Sequence, residues 1–423
     1  MRRRRILSSS LLLSKVPQYV ALLPLIILCI FTVRRWLFTL VSVRSRHLSA
    51  LSGPEAPNTN PYQQNLDEPE KTVLLLVPFR DEAATLPGLL QALQRLDFPD
   101  QHLQVVFVDD GSRDGGATLC ATAVQERPNW HLLYLPQSQG KAAALHTALT
   151  RFEHGDLIAI FDADERPRPS ALQWLVAACR DPRVAAVSGR RALSNSLASP
   201  TASYVAFENM VHQLLTQQAK DRLGLAPAIL GSNCLYRRHA LVQVGGFRAG
   251  ALLEDSDLTV QLVCAGWQTR YAPQAVGEHA APQQLSAYWR QHVRWAGGFQ
   301  QVTQSQASTI WRAHSLPWTL RLELILFSLG YVDRAALAAT VAIALLGDAT
   351  RLPARLSRRV LPFALITPLV QVILALQLDH APRQLWMRLP LSPVYFIVDM
   401  LMALVGIGRS MMGRPIGWER RVS

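Results

Sequence analysis

The stretch LIAIFDADERP, residues 157–167, sends a short apolar run directly into three acidic side chains. Its first five residues are apolar, and Asp162, Asp164 and Glu165 follow. Carboxylates this close together repel one another, so ionising all three at the end of a buried strand is costly. The pattern therefore predicts a strand whose end meets either a tight turn or a positively charged group. Glu165 is expected to be a turn residue or a helix cap.

The segments before this stretch alternate between apolar runs and runs with helical spacing. The apolar runs are TVLLLVPF, LQVVFVDD and WHLLYLP, and the helical segments that follow them are ATLPGLLQALQRL, ATLCATAVQE and KAAALHTALTRF. Continuous apolar strands between helices are typical of a mostly parallel sheet that is covered on both faces. We therefore predict a doubly wound α/β domain over residues 71–310.

The composition favours a membrane protein over a soluble nucleic-acid-binding protein. The 423 residues carry a net charge of +13, which is typical of proteins that meet nucleic acid or anionic lipid. Hydrophobic residues make up 49% and charged residues only 17%, however, which is unusually apolar for a soluble basic protein. The chain has no zinc-finger spacing, no aromatic RNA-binding signature and no lysine-rich tail. No nucleic-acid partner is expected.

The five cysteines indicate neither a disulfide framework nor a zinc site. Their number is odd and no two of them form a CxxC pair. We expect free thiols in a reduced compartment. They are Cys29, Cys120, Cys179, Cys234 and Cys264.

The N-terminal part of the chain predicts one membrane span. Residues 16–33 carry no charge and are long enough to cross a bilayer. No small-residue cleavage site follows them, so we predict an uncleaved helix within residues 1–45, with RRWLFTLV as an interfacial anchor. Arginines on both flanks leave its orientation undecided. Residues 46–70 are polar and rich in Pro and Asn, which predicts a linker.

Residues 311–423 predict an interfacial helix and two to three further spans. Two clear candidates are LPFALITPLVQVILALQL and LSPVYFIVDMLMALVGIG. The stretch 320–347 holds Asp333 and Arg334 in its middle, so it must be a broken helix or a helix plus a span whose charges pair or face protein. Arginines that predict a cytosolic loop and tail are Arg351, Arg355, Arg358, Arg359, Arg409, Arg414, Arg420 and Arg421.

Two strands of the predicted sheet end in acidic pairs. Asp109 and Asp110 end one, Asp162 and Asp164 end the other, and Lys141 opens the helix of the unit between them. Ligands of doubly wound sheets bind at the carboxyl ends of the strands. A few carboxylate oxygens completed by phosphate oxygens suit Mg²⁺ or Mn²⁺. The sequence therefore predicts a metal-bound diphosphate at this edge.

An ordered series of motifs carries a resemblance to a known family. The motifs are VPFRDEAATL, VVFVDDGSRDG, GKAAALHTAL, FDADERPRPSAL, GSNCLYRRHAL, LLEDSDLT and QHVRWAGG. Over about residues 71–300 the chain resembles membrane-embedded family 2 glycosyltransferases, the group of cellulose, chitin, hyaluronan and poly-N-acetylglucosamine synthases and of ceramide glucosyltransferase. The resemblance implies a GT-A-type fold, a nucleotide-sugar donor and a divalent metal.

The resemblance also implies a role for each matched residue. Asp109 and Asp110 would hold the uridine and its ribose. Asp162 and Asp164 would bind the diphosphate through the metal. Asp255, in LLEDSD, would be the general base that takes the proton of the acceptor hydroxyl.

The QxxRW element would lie near the acceptor and the diphosphate. It consists of Gln291, Arg294 and Trp295. An indole offers an apolar face on which a sugar ring can stack, which is the role expected of Trp295. Lys141 is expected to contact a phosphate, whereas Glu254 is expected to be structural.

Three departures from the family pattern bear on the site. His146 stands where an Asn is usual, and Glu165 stands where a smaller polar residue is common. Ser232, Asn233 and Cys234 lie where the acceptor is expected, which suggests that they influence acceptor choice. With one N-terminal span and few C-terminal ones, a channel for exporting a polymer is not indicated.

The predicted function is inverting, metal-dependent transfer from a UDP-sugar at the cytosolic face of the plasma (inner) membrane. The expected partners are a growing glycan or a lipid acceptor, membrane lipids and an accessory subunit. Single-sugar transfer to a lipid is the alternative to elongating a β-linked polysaccharide, and a non-catalytic nucleotide-binding protein is a third. A nucleotidyl transferase would need a P-loop and an oxidoreductase a GxGxxG motif, and the sequence has neither.

Overall fold

An eight-stranded sheet forms the core of the computed structural model, which describes residues 2–51, 71–348 and 351–413. The strands are β1 (Val73–Phe79), β2 (Leu103–Asp110), β3 (Trp130–Leu135), β4 (Leu157–Ile160), β5 (Arg166–Pro167), β6 (Val184–Leu193), β7 (Cys234–Arg237) and β8 (Gln268–His279). Their order across the sheet is β3-β2-β1-β4-β7-β6-β8-β5.

The first four strands are parallel, and the second half of the sheet is mixed. β1 lies between β2 and β4, and β2 pairs with β3. β7 runs antiparallel to both β4 and β6, β8 is parallel to β6, and β5 is antiparallel to β8. Parallel neighbours place the carboxyl ends of β2 and β4 at the same edge of the sheet. The predicted mostly parallel, doubly wound sheet is confirmed.

Helices cover the sheet on both faces and continue into the C-terminal part of the chain. They are α1 (Arg2–Leu51), α2 (Leu86–Leu93), α3 (Gly116–Gln125), α4 (Lys141–Arg151), α5 (Ala171–Ala178), α6 (Pro200–Val211), α7 (Gln218–Leu223), α8 (Arg238–Gln243), α9 (Glu254–Cys264), α10 (Leu285–Arg312), α11 (Trp318–Ser328), α12 (Val332–Leu346), α13 (Leu352–Leu378), α14 (Arg383–Trp386) and α15 (Ser392–Met411). A π-helical turn, His212–Gln217, joins α6 to α7.

The alternation of side chains along β1 divides the hydrophobic core into two layers. Val73, Leu75 and Val77 pack on one face with residues of α2, α3 and α5. Leu74 and Leu76 pack on the other face with residues of α4, α8 and α9. All seven residues of β1 are buried, as a strand covered on both faces requires.

The helices of the structure cross two of the predicted segment boundaries. Residues 46–51, predicted as linker, belong to α1, and residues 52–70 lie outside the described part of the chain. At the other end, α10 continues through the predicted boundary at residue 310. The domain limits therefore remain a prediction. The five cysteines are free in the structure.

Three helices in the described part of the chain are long and apolar enough to cross a membrane. They are Tyr19–Ser45, Leu352–Leu378 and Arg383–Met411, judged by length and composition. α11 and α12 form a fourth candidate, broken and bent by 72°. The predicted span 16–33 overlaps the first of these helices. RRWLFTLV continues the same helix, and its role as an interfacial anchor remains a prediction.

The break between α11 and α12 is accompanied by paired charges. Tyr331, at the break, has a left-handed backbone with φ of 70°. Asp333 pairs with Arg334 at 3.0 Å and also with Arg35 of α1. Arg334 in turn donates through Nε to Oδ2 of Asp399 on α15 at 2.9 Å. The condition predicted for these charges, pairing inside protein, is confirmed.

A second group of charges holds α1 against the helices beside it. Glu323 of α11 accepts from Arg34 Nε at 2.7 Å and lies 3.2 Å from Lys220 Nζ of α7. The side chains of Lys220 and Glu323 are 2% and 4% exposed. Farther along α1, Ser42 donates to the carbonyl of Leu215 at 2.8 Å.

We expect Glu323→Gln to lower the free energy of unfolding by about 3 kcal/mol, because it leaves two buried cations facing each other without an anion. Unfolding of the purified chain in detergent micelles measures this. The matched control is Glu278→Gln, which removes an exposed ion pair to Arg168 and should cost less than about 1 kcal/mol. Equal losses in the two variants would contradict a buried, anion-dependent cluster.

Candidate active site

The ammonium group of Lys141 is the positive charge that the acidic end of β4 meets. Its Nζ lies 2.8 Å from Oδ1 of Asp162, 2.8 Å from the carbonyl oxygen of Gly231 and 3.2 Å from Oε1 of Glu254. Burial alone would lower the pKa of Lys141, but the carboxylates of Asp162, Glu254 and Asp255 outweigh it and raise the pKa. Lys141 is therefore a cation at neutral pH.

The loop that delivers Lys141 is fixed by the carboxylate of Asp110, at the end of β2. Oδ1 accepts from the backbone N–H of Gln139 at 2.7 Å. Oδ2 accepts from the Ser138 hydroxyl at 2.7 Å and from the Gly140 N–H at 3.0 Å. Gly140 has φ of +86°, a conformation that favours glycine and turns the chain into α4. Sequence analysis did not predict this positioning role for Asp110.

Asp109 presents an open hydrogen-bond acceptor inside the site. Its side chain is fully buried, and Oδ1 accepts from the N–H of Ser112 at 2.8 Å. Oδ2 is also buried but has no hydrogen bond within the residues that the structure describes. A buried carboxylate oxygen without a donor is costly, so this atom is suited to a ligand N–H or O–H group.

Glu165 is wholly buried, and it closes a turn as predicted, because its N–H donates to the carbonyl of Asp162 at 2.9 Å. Oε2 accepts from the Ser232 hydroxyl at 2.8 Å and lies 3.0 Å from Nη2 of Arg191. Ser232 Oγ also accepts from the N–H of Asp162 at 2.9 Å. Burial raises the pKa of Glu165, and the Arg191 guanidinium opposes that rise. Through Ser232 and Arg191, Glu165 thus connects the segment after β4, which contains Asp162, to the loop before β7 and to β6.

Asp162 and Asp164 remain as the two carboxylates suited to a divalent cation. Asp164 is 8% exposed, and the Asp162 side chain is 22% exposed. Two carboxylates supply the few oxygen ligands that Mg²⁺ takes from protein, with phosphate oxygens completing the shell. In the described part of the chain, the one group of three carboxylate or imidazole ligands close enough to share an ion lies elsewhere.

Asp255 faces the same loop as Lys141. It lies in the first turn of α9, where its Oδ1 accepts from the N–H of Ser256 at 2.6 Å. A Cβ added to Gly231, whose φ is +72°, would lie 2.8 Å from Asp255 Oδ2, so the carboxylate rests directly against this glycine. Burial and the neighbouring Glu254 raise the pKa of Asp255 to about 7, against the opposing effects of Lys141 and the Ser256 N–H.

The predicted QxxRW residues lie on α10, and one of them reaches the turn before Asp255. Nη1 of Arg294 donates to the carbonyl of Leu252 at 3.2 Å. Trp295 is half-buried, and its ring centroid lies 4.8 Å from that of His292. Gln291 is half-buried on the same helix. The indole thus packs on protein, and its predicted stacking on a sugar ring remains a prediction.

Ser232, Asn233 and Cys234 point into the protein, and their influence on acceptor choice remains a prediction. All three are fully buried. Nδ2 of Asn233 donates to the carbonyls of Arg190 and Ala275, at 3.0 Å and 2.8 Å, so its side chain bridges two strands. His146, the other departure from the family pattern, is exposed on α4 and adds no contact to the site.

Comparison with known proteins agrees with this arrangement. The profile of the family described as "Glycosyltransferase like family 2" matches residues 69–298. The chain belongs to this family. The predicted family is therefore confirmed. The matched region contains the sheet, Lys141 with the residues that it contacts, and the QxxRW residues.

Two curated relatives match the chain over part of their length. An N-acetylglucosaminyltransferase of Rhizobium meliloti is 30% identical over 238 residues, covering 54% of this chain and 55% of the relative. A beta-monoglucosyldiacylglycerol synthase of Synechocystis is 28% identical over 302 residues, covering 68% and 60%. The chain thus spans less than two thirds of the length of these relatives.

A solved structure shares the fold over almost the whole chain. PcManGT, a mannosyltransferase from Pyrobaculum calidifontis solved with GDP-Man and Mn²⁺, superimposes with a TM-score of 0.61 at 20% identity. The match covers 92% of this chain and 99% of that one. At this identity the likeness shows the fold, and it confirms the predicted GT-A-type architecture.

We expect Glu165→Gln to lower the free energy of unfolding by about 3 kcal/mol, because Arg191 is then buried without its anion. The double variant with Arg191→Gln should recover part of the loss, so a double-mutant cycle gives a coupling energy of about 1–3 kcal/mol. The same cycle on the exposed pair Arg168–Glu278 should give less than about 1 kcal/mol. Strict additivity at Glu165 and Arg191 would show that the pair is not a unit.

Proposed function

We propose that this protein transfers a sugar from a UDP-sugar to a hydroxyl acceptor with inversion, elongating a β-linked polysaccharide at the cytosolic face of the plasma membrane. One observation carries the proposal. The ammonium group of Lys141 contacts the candidate metal ligand Asp162, and a Cβ added to Gly231 would lie 3.4 Å from that ammonium group and 2.8 Å from Oδ2 of the candidate base Asp255. In a direct displacement, the base that deprotonates the acceptor and the residues that bind the leaving diphosphate belong to one site, because both act on the same anomeric carbon.

Asp255 has the properties of a general base for an alcohol. A pKa raised to about 7 gives a stronger base than an ordinary carboxylate while leaving about half of it ionised at neutral pH. General-base effects of this kind contribute about 10²–10⁴-fold to the rate. One base and no covalent intermediate imply inversion at the anomeric carbon. Its neighbour Glu254 is held by Lys141 and so is not positioned as a nucleophile.

The opposite side of the site fits the leaving diphosphate. Asp162 and Asp164 would hold Mg²⁺ or Mn²⁺, and such an ion stabilises the negative charge that develops on a departing diphosphate. Lys141 is protonated and adds a second positive charge there. The open Oδ2 of Asp109 would accept from an N–H group of the nucleoside base. The PcManGT structure, which was solved with GDP-Man and Mn²⁺, supports a divalent ion together with a nucleotide-sugar donor.

A lipid acceptor is the second candidate, and a surface feature favours it. Trp311 and Trp318 are 71% and 73% exposed at the corner between α10 and α11. With Ile310, Arg321, Leu322 and Ile325 they line a mostly apolar hollow. Exposed tryptophans are typical of the membrane interface, where this hollow would accept an acyl chain. One of the relatives is a beta-monoglucosyldiacylglycerol synthase, a name that specifies a glycolipid product.

The test is sugar transfer by membranes that contain the full chain. Labelled UDP-glucose, UDP-N-acetylglucosamine, UDP-galactose, UDP-glucuronate and GDP-mannose are supplied one at a time with Mn²⁺ or Mg²⁺, and polymer is separated from extractable lipid. We expect label from one UDP-sugar in polymer. Asp255→Asn should reduce transfer at least about 100-fold while donor binding persists. Asp100→Asn, at an exposed carboxylate, is the matched control.

The outcomes separate the parts of the proposal. Label in the lipid fraction would show that the product is a glycolipid and not a polymer. Label from GDP-mannose alone would contradict the proposed UDP-sugar donor. Transfer unaffected by EDTA would refute the metal role of Asp162 and Asp164. Near-normal turnover of Asp255→Asn would refute the base assignment.

The pH dependence of transfer should follow the ionisation of Asp255. Since the base must be deprotonated, kcat/KM should rise with pH and level off above an apparent pKa of about 7. Glu254→Gln removes the adjacent negative charge that helps to raise this pKa, and it releases Lys141 from one competing carboxylate. Both effects shift the rise to lower pH. An unchanged profile in Glu254→Gln would mean that another group titrates.

A further inference from the structure

A second group of chemically active side chains lies where α6, α10 and α15 meet. It consists of Glu208, His292 and Asp399, whose ligand atoms all lie within 4.8 Å of one another. His292 and Asp399 are buried, whereas the Glu208 side chain is 27% exposed. None of the three is among the residues predicted for sugar transfer.

The hydrogen bond of His292 determines which of its nitrogens faces the group. Nδ1 lies 3.1 Å from the carbonyl oxygen of Tyr288, which can only accept, so Nδ1 carries the proton. A neutral ring then directs the Nε2 lone pair at Oε2 of Glu208, 3.5 Å away. Charge-assisted hydrogen bonds are shorter, about 2.8 Å. A separation near 3.4 Å is what two ligands show when an ion binds each at about 2.1 Å.

The carboxylates are held by partners that leave ligand oxygens available. Tyr288 donates its hydroxyl to Glu208 Oε2 at 2.9 Å. Arg334 donates to Oδ2 of Asp399 at 2.9 Å, whereas the buried Oδ1 has no hydrogen bond to any residue that the structure describes. Metal ligands are usually oriented by such outer hydrogen bonds.

Among the described residues, the carboxylates around the group outnumber the guanidinium groups that pair with them. The carboxylates are those of Glu208, Asp333 and Asp399, and the guanidinium groups that pair with them are those of Arg35 and Arg334. With a neutral imidazole, one negative charge is left without a counter-charge. A bound cation would offset the charge of Glu208, whose side chain is 27% exposed.

We propose that Glu208, His292 and Asp399 bind a divalent transition-metal ion, Zn²⁺ or Mn²⁺, at a site separate from that of the sugar donor. One imidazole and two carboxylates suit either ion. The ion joins α6 and α15 to α10, the helix that carries Gln291, Arg294 and Trp295. It therefore fixes the position of that helix beside the candidate active site. The inference concerns a metal site alone and does not depend on which sugar, or whether any sugar, is transferred.

The test counts metal ions in the purified full-length chain in detergent. Asp162→Asn/Asp164→Asn serves as the parent, so that the donor site does not contribute. After metal removal by a chelator and its dialysis, the parent is titrated with Zn²⁺ and with Mn²⁺, and bound metal is measured by atomic emission. We expect about one ion per chain. Adding His292→Gln or Asp399→Asn should weaken binding at least about tenfold.

Further variants distinguish a metal site from loss of folding. Tyr288→Phe removes one orienting hydrogen bond and should weaken binding about tenfold without removing a ligand. His131→Gln, at a histidine that pairs with Gln104 on β2, is the matched control and should bind like the parent. Co²⁺ gives an independent readout through its visible absorption, which should appear in the parent and disappear in His292→Gln.

The proposal is overturned if the parent binds no ion, as it would if a proton on His292 supplied the missing charge. It is also overturned if the parent, His292→Gln and Asp399→Asn bind equally tightly. Elution volume and far-ultraviolet circular dichroism check the folding of each variant. If His292→Gln and Asp399→Asn do not fold, Tyr288→Phe decides between the outcomes.

Discussion

The attraction between the Lys141 ammonium group and the oxygens around it assembles the candidate active site. The groups it joins come from three separate segments, the turn after β4, the loop before β7 and the start of α9. Without a cation between them, Asp162 and Glu254 would repel each other at the edge of the sheet. Asp110 sets the position of this cation by fixing the loop before α4. The geometry of the site therefore depends on the positive charge of Lys141, whose position is set by Asp110 at the end of β2.

The acidic strand ends were predictable because their chemistry is local. Apolar runs ending in Asp109 and Asp162 mark both the strand and the edge at which it ends, so the parallel sheet brings these groups together. The partner of Glu165 was not predictable, because Arg191 lies 26 residues away on β6. Three acids after a buried strand indicated that a counter-charge was needed. Only the folded chain shows that there are two, Lys141 and Arg191.

The membrane helices show the same limit of sequence reasoning. The sequence shows that Asp333 and Arg334 must be paired inside an apolar helix. Their further partners, Arg35 and Asp399, lie 298 and 65 positions away along the chain. The side-chain environment of Trp295 could likewise not be predicted from the sequence, because the QxxRW spacing indicates a helix face but not the residues that pack on it. The local sequence pattern thus predicts that a buried charge has a partner, whereas the identity of the partner depends on the tertiary structure.

The contacts of α1 have a consequence for how this helix can vary. Arg34, Arg35, Thr39 and Ser42 each bind a different element, α11, α12, α13 and the turn between α6 and α7. One residue inserted between Arg34 and Ser42 would rotate the later contacts by about 100° relative to the earlier ones. Natural variation in this helix should therefore replace lipid-facing residues freely while keeping the number of residues between Arg34 and Ser42 constant.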